Sequence, residues 1–209
     1  MRRLLPDRFS QSTVALSLPD NQNATNGKNA HIIAKINALC DIDIIKALYN
    51  ASMAGVKVDL IIRGICCLRT GIPGVSENIT VKSVVGRFLE HSRIFYFENA
   101  GRPEIYCGSS DWMPRNLERR VEILFPIEDE KLKERVLHIL DIMLKDNLKA
   151  SVMNDEGDYK RIDKRGKVLI GCQSTFCEEA IAKAKANLRH QSNPNNMRTF
   201  IPKKNLETN

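Results

Sequence analysis

The sequence predicts an α/β domain, a mixed β-sheet flanked by helices. Two observations carry this. First, "HIIAKIN", "DIDIIKALYNASMAG" and "VKVDLIIRG" follow one another as strand, helix and strand. A unit of that kind closes as a parallel pair with a right-handed crossover. Second, the apolar segments "RIFYFEN" and "PEIYCG" are joined by a short turn, which is the pattern of an antiparallel hairpin. Parallel and antiparallel pairing in one chain makes the sheet mixed.

Taken in order, residues 1–27 are polar and turn-rich, ending near "PDNQNATNGK", and read as a poorly ordered lead-in. The domain proper spans 28–190. In its first helix Asp41 is the expected N-cap, and Ile45, Leu48, Tyr49 and Ser52 recur at helical spacing before Gly55 ends it. "VDLII" is apolar enough to be covered on both faces. Gly71, Pro73 and Gly74 mark a loop, and "ITVKSVV" and "VEILFPI" add strands. "EDEKLKERVLHILDIMLKDN" reads as the longest helix, with Leu132, Val136, Ile139, Leu140 and Met143 on one face. Residues 150–170 read as an irregular β-excursion, "STFCEEAIAKAKANL" as a last helix, and 191–209 as a basic tail.

The 209 residues carry a formal net charge of +7. That excess suggests an anionic partner, whether nucleic acid, nucleotide, polyanion or membrane surface, and charge alone does not choose among them. Six cysteines show no CxxC pair and no zinc-ligand spacing with histidine. They read as reduced, core-filling thiols. The basic N-terminus is interrupted by Pro6, Asp7 and Arg8, and no apolar run reaches the length of a membrane span. A cytoplasmic location is the expectation, with peripheral membrane association left open.

Three stretches could carry chemistry. Arg63 falls at the C-terminal end of "VDLII", where open α/β sheets place ligand crevices, and Gly64 beside it allows close backbone approach. A guanidinium suits phosphate because its planar fork donates two parallel hydrogen bonds. A strand-end salt bridge is the competing role. In "FLEHSRIFYF", alternation sets His91, Arg93, Phe95 and Phe97 on one side. His91 could serve there as nucleophile, proton donor or phosphate ligand, or simply as a solvated residue. In "GSSDWMPRNLERRVE" the hydroxyls of Ser109 and Ser110, with Arg115 and Arg119, could bind phosphate. Trp112 could wall a base or pin the loop to the core.

Taken together, a histidine, a basic residue two positions on, and a Gly-Ser loop resemble a worn phospholipase D motif, HxK followed by GSxN. Arg93 stands where that motif has lysine, and Asp111 where it has asparagine. "GVKVDLIIRGICCLRTGIPGVSENI", "VVGRFLEHSRIFYF" and "GSSDWMPRNLERRVEILFPI" resemble the C-terminal region of polyphosphate kinases more closely, from about Lys28 to about Arg161. The resemblance implies a phospholipase-D-like fold and reversible transfer of the ATP terminal phosphoryl to inorganic polyphosphate. It places Arg63 on the nucleotide-binding arginine and His91 on the second-domain histidine, which makes His91 the one catalytic residue expected here. Arg63, His91, Arg93, Ser109, Ser110, Arg115 and Arg119 are the expected ATP- and phosphate-binding set.

The resemblance also implies what lies elsewhere. The phospho-accepting histidine and the residues linked to Mg²⁺ belong to a preceding half that residues 1–27 do not resemble. The expected cofactors are ATP or ADP with Mg²⁺, and no metal ligand is expected in this chain. The expected partners are polyphosphate, ATP, that other half, and further copies in a homo-oligomer, without specific nucleic acid. Alone, the chain is expected to be inactive. A polyphosphate- or nucleic-acid-binding module without catalysis and a single-motif phosphodiesterase are the alternatives.

Overall fold

The computed structural model describes residues 30–191. The lead-in 1–27 lies outside them, as does the basic tail beyond its first residue. Two compact units divide at Cys172 and Gln173. The first holds an eight-stranded sheet. Its strands are β1 (His31–Ile36), β2 (Lys57–Ile62), β3 (Ile79–Val84), β4 (Arg93–Phe97), β5 (Glu104–Gly108), β6 (Leu124–Pro126), β7 (Ala150–Met153) and β8 (Tyr159–Arg161). In space they run β6-β5-β4-β1-β2-β3-β7-β8. β1, β2 and β3 are mutually parallel, and every other pairing is antiparallel. The mixed sheet is therefore as expected.

Helix α1 (Ile42–Met53) connects β1 to β2. The Asp41 side chain caps it by accepting from the Ile44 amide, which satisfies one of the donors a helix start leaves open. Gly55 follows with φ +91°, a conformation a side chain would resist. The buried stripe is Ile44, Leu48, Ala51 and Ser52, one step round from the expected stripe, so Ile45 and Tyr49 are only partly covered. Alternation on β1 sends Ile32, Ala34 and Ile36 into the same core as Ile44, Leu48 and Ala51. His31, Ile33 and Lys35 take the other face, and Ile33 lies in a cavity wall with Leu140 and Leu144 of α3 (Glu130–Lys145). Both faces of β1 and β2 are thus covered, which is why they read as continuous apolar runs.

Several expectations need correction. The hairpin between β4 and β5 turns through residues 98–103, longer than expected, and contains a 3₁₀ turn with Asn99 and Ala100 at positive φ. The segment after Trp112 is not all loop. Pro114, pre-set for a first helical position, opens α2 (Pro114–Arg119). The longest helix is α4 (Cys172–Gln191), with 20 residues against 16 in α3. On α3 Leu140 and Met143 are buried, whereas Leu132 is 56% exposed. Of the six cysteines only Cys172 is buried; Cys66 packs partly buried against the core, and the other four are half-buried or exposed. Cys66 and Cys67 lie past the end of β2, with Cys66 bridged to Leu39. No helix among the described residues is long and apolar enough to cross a membrane.

One glycine holds the edge of the sheet in place. A Cβ on Gly108 would meet the Ile123 carbonyl oxygen at 2.7 Å, inside any tolerated contact and against backbone. Gly108 pairs with Arg93 on one side and Leu124 on the other, so β5 cannot shift away without breaking both ladders. Gly108→Ala should therefore cost about 1–3 kcal/mol, read as a lowered urea midpoint at unchanged slope.

Candidate functional site

Beyond the C-terminal ends of β1 and β2 the backbone continues as a small zipper. Leu39 N donates to the Ile65 carbonyl at 2.9 Å and Cys67 N to the Leu39 carbonyl at 2.8 Å. On the other side Trp112 N donates to Ala38 O at 3.1 Å, and Cys40 N returns to Trp112 O at 2.8 Å. Segments 37–41, 63–67 and 110–112 are thereby held side by side. Trp112 is 1% exposed and stacks on Phe95 at 5.2 Å, so it pins the loop to the core and is no wall for a base.

At the rim of this zipper stands a cluster of charged and amide groups. Arg93, at the start of β4, donates from Nη2 to Asp111 at 2.8 Å and from Nε at 3.3 Å. Its Nη1 reaches back to His91 Nδ1 at 2.9 Å and to the His91 carbonyl at 3.0 Å. Asp111 also accepts from the Asn37 backbone at 2.7 Å and from its side-chain amide at 3.2 Å. The Asn37 amide oxygen in turn accepts from Arg63 Nε at 3.1 Å. A single chain of hydrogen bonds therefore runs His91–Arg93–Asp111–Asn37–Arg63.

Electrostatics follow from this wiring. Burial works to raise the Asp111 pKa, but hydrogen bonds from Arg93 and Asn37 outweigh it and hold the carboxyl below the usual range. The two departures from the phospholipase D pattern, Arg93 and Asp111, are one feature, because they bond to each other. A guanidinium has no lone pair, so His91 Nδ1 must be the acceptor and the neutral ring carries its proton on Nε2. His91 itself is exposed. Neither Arg63 Nη nor His91 Nε2 has a partner among the described residues, and both remain available to a ligand.

Beneath the rim lies Lys35, 1% exposed, with Nζ donating to the Ser92 carbonyl at 2.9 Å. Burial draws its ammonium down to about 8, with Arg63 and Arg93 pushing the same way and Glu90 and Asp111 opposing. Lys35 and Asn37 were absent from the expected set. Their signal was a lysine inside an apolar strand, since lysine is almost never fully buried without a partner.

The rest of the expected set is distributed unevenly. Arg63, His91 and Arg93 are brought together. Ser110 is 0% exposed and donates to its neighbour's carbonyl, Asp111 O, at 2.8 Å. Ser109 Oγ donates to Glu122 and accepts from the Ile123 amide at 3.0 Å, so both serines are engaged with protein. Arg115 and Arg119 sit exposed on α2, outside the hydrogen-bonded chain. Gly64 does allow a close approach, but to backbone: a Cβ there would stand 3.1 Å from Asn37 O. His31 belongs elsewhere. It lies at the opposite end of β1, about 17 Å away by strand rise, and pairs with Asp59 at 2.8 Å. There it lines a cavity of about 530 Å³.

The open donors of Arg63 and His91 thus stand past the carboxyl ends of parallel strands, the place where α/β sheets put their ligands. The profile of the family described as Polyphosphate kinase C-terminal domain 2 matches residues 7–173, and the chain belongs to that family. The match begins inside the stretch read as a lead-in and ends beyond Arg161. The chain is 49% identical over 168 residues to the polyphosphate kinase of Pseudomonas aeruginosa, covering 79% of this chain and 24% of that one. It is 54% identical over 160 residues to the polyphosphate kinase of Burkholderia ambifaria, covering 74% and 23%. The crystal structure of polyphosphate kinase from Porphyromonas gingivalis superposes with a TM-score of 0.80 at 36% identity, covering 84% of this chain and 27% of that one. The chain thus spans about a quarter of the length of the curated relatives it matches.

Asp111 makes the wiring testable through pH. Its folded pKa lies below the ordinary value of about 3.9, so its stabilisation is complete above that value and is lost as pH falls through the folded one. Asp111→Asn should cost about 2–4 kcal/mol near neutrality, because it leaves Arg93 uncompensated. The gap between variant and parent should narrow towards about pH 2, as urea denaturation at the two pH values would show.

Proposed function

We propose that this chain forms one wall of the phosphoryl-transfer site of a polyphosphate kinase, binding the phosphates of ATP and of inorganic polyphosphate. The observation that carries the reading is the open pair Arg63 Nη and His91 Nε2, held at one rim by the Asn37–Asp111–Arg93 chain. Arg63 grips a phosphate oxygen while Asn37 fixes the angle of its fork. His91 donates from Nε2 to a second oxygen or to the oxygen on which charge develops. With its proton on Nε2, the ring lacks the lone pair at that nitrogen that an in-line attack would use. His91 is therefore a phosphate ligand and proton partner, and the phosphorylated histidine belongs to another part of the enzyme.

The same reading extends to the surroundings. Arg115 and Arg119 would meet the more distant phosphates of the chain, and Ser109 and Ser110, whose hydroxyls are spent on protein, would support that loop from below. Mg²⁺ would arrive on the ATP phosphates and neutralise charge there. Among the described residues no three carboxylate, histidine or cysteine side chains gather to hold it. Charge spread over the transferring phosphoryl needs an aligned acceptor, which the remainder of the enzyme would supply. The site of action is cytoplasmic, and the working form is a homo-oligomer of complete enzymes.

Two outcomes follow for the 209-residue chain purified alone. It should bind ATP and inorganic tripolyphosphate weakly in calorimetry and synthesise no polyphosphate; robust ATP-dependent synthesis would sink the reading. Incubation with γ-labelled ATP should leave no acid-labile phosphate on the peptide containing His91.

Site geometry can be separated from bulk charge. Arg63→Ala should weaken binding by about 1.5–3 kcal/mol, roughly tenfold or more. Arg69→Ala should do little, because Arg69 is exposed and its Nη2 donates to the Glu156 carbonyl at 3.4 Å. Equal losses in the two variants would mean that net charge drives the binding.

A further inference from the structure

We propose that Lys35 is a positioning residue of the crevice, holding through the Ser92 carbonyl the turn that presents His91, and that anion binding at the rim is coupled to its protonation. This rests on the reading of the crevice as a phosphate site.

The geometry comes first. Lys35 sits on β1 opposite Ile94 of β4 and Ile61 of β2, so its stem is walled on both sides by the sheet. It is 1% exposed and cannot reach a ligand. Its Nζ ends on the carbonyl of the residue immediately after His91, at 2.9 Å. Arg93 grips the same turn from the other side through the His91 carbonyl. The His91 ring is therefore borne on a turn whose two successive carbonyls, of residues 91 and 92, are each held by a cation. An exposed segment would otherwise wander, and a donor misplaced by an ångström loses much of its use.

The coupling follows from charge. The groups acting on Lys35 are Arg63 from the end of β2, Arg93 from β4, Glu90 from the preceding turn and Asp111 from the loop after β5. With burial and the two guanidinium groups against it, its pKa lies at about 8. A polyanion seated between Arg63 and His91 offsets the guanidinium charges and raises that pKa. Binding then draws a proton onto Lys35, and by linkage affinity falls as pH rises through the free value.

The experiment uses the 209-residue chain with inorganic tripolyphosphate as probe. Calorimetry at about pH 8, in two buffers of different ionisation enthalpy, counts protons taken up on binding. The parent should take up a few tenths of a proton more than Lys35→Met, and affinity in the variant should fall less steeply with pH. In the free chain, long-range ¹H–¹⁵N spectra of the His91 ring should shift and broaden in Lys35→Met, with the rest of the amide spectrum retained. Lys35→Arg, always charged and still a donor, should restore the ring signals yet not the proton uptake. Equal proton uptake in parent and Lys35→Met overturns the coupling, and unchanged ring signals overturn the positioning role. Failure of the parent to bind tripolyphosphate overturns the phosphate reading instead, and the ring signals then decide the positioning role alone.

Discussion

The Arg93–Asp111 pair is the interaction on which the crevice depends. It joins the first residue of β4 to the loop that follows β5, and Asp111 extends the tie to the residue just past β1. Both side chains are about one-tenth exposed, so the pair stands largely out of water. Two charges so placed repay their desolvation only when their remaining hydrogen-bonding capacity is filled. Here Asp111 takes four hydrogen bonds and Arg93 spends its other nitrogen on His91. The pair is thus less a source of stability than a device for fixing angles: the orientation of the histidine is set by the same guanidinium that the carboxylate locks.

That dependence ties together the two departures from the phospholipase D motif in the sequence, because Arg93 and Asp111 bond to each other. Lysine is a point charge on a flexible stem, whereas arginine presents a fork with a fixed plane. The fork can hold a carboxylate on one edge and an imidazole on the other, which an ammonium does less specifically. The aspartate opposite it offsets its charge. The cation left open at the rim is therefore Arg63, whose Nη groups are free among the described residues while Asn37 takes only Nε.

Much of this was legible in the sequence, and the limits have physical causes. The parallel β1–α1–β2 unit and the position of Arg63 follow from apolar runs and a capped helix, which are local signals. His91 and Arg93 were drawn together by spacing alone. Lys35 is not marked by alternation in the sequence, because a strand buried on both faces shows none that would single out one of its residues as facing a site. Ser109 and Ser110 looked available because nothing local announces a partner thirteen residues on, such as Glu122, or complete burial. The loop after β5 looked unstructured because six residues of helix opening on proline carry too short a period to register.

Net charge deserves a final distinction. An excess of +7 spread over 209 residues would bind any polyanion weakly and without orientation. The crevice differs in kind. Its cations face one another across a buried aspartate and a buried amide, where solvent screens them less than at the surface. Burial first, and then repulsion from Arg63 and Arg93, lowers the Lys35 pKa. On the proposed reading, an anion there would offset that repulsion and would meet angles already set by Asn37 and Asp111, leaving little ordering to be done on binding. Preorganisation, more than the number of basic residues, is what sets this edge of the sheet apart from the rest of the basic surface.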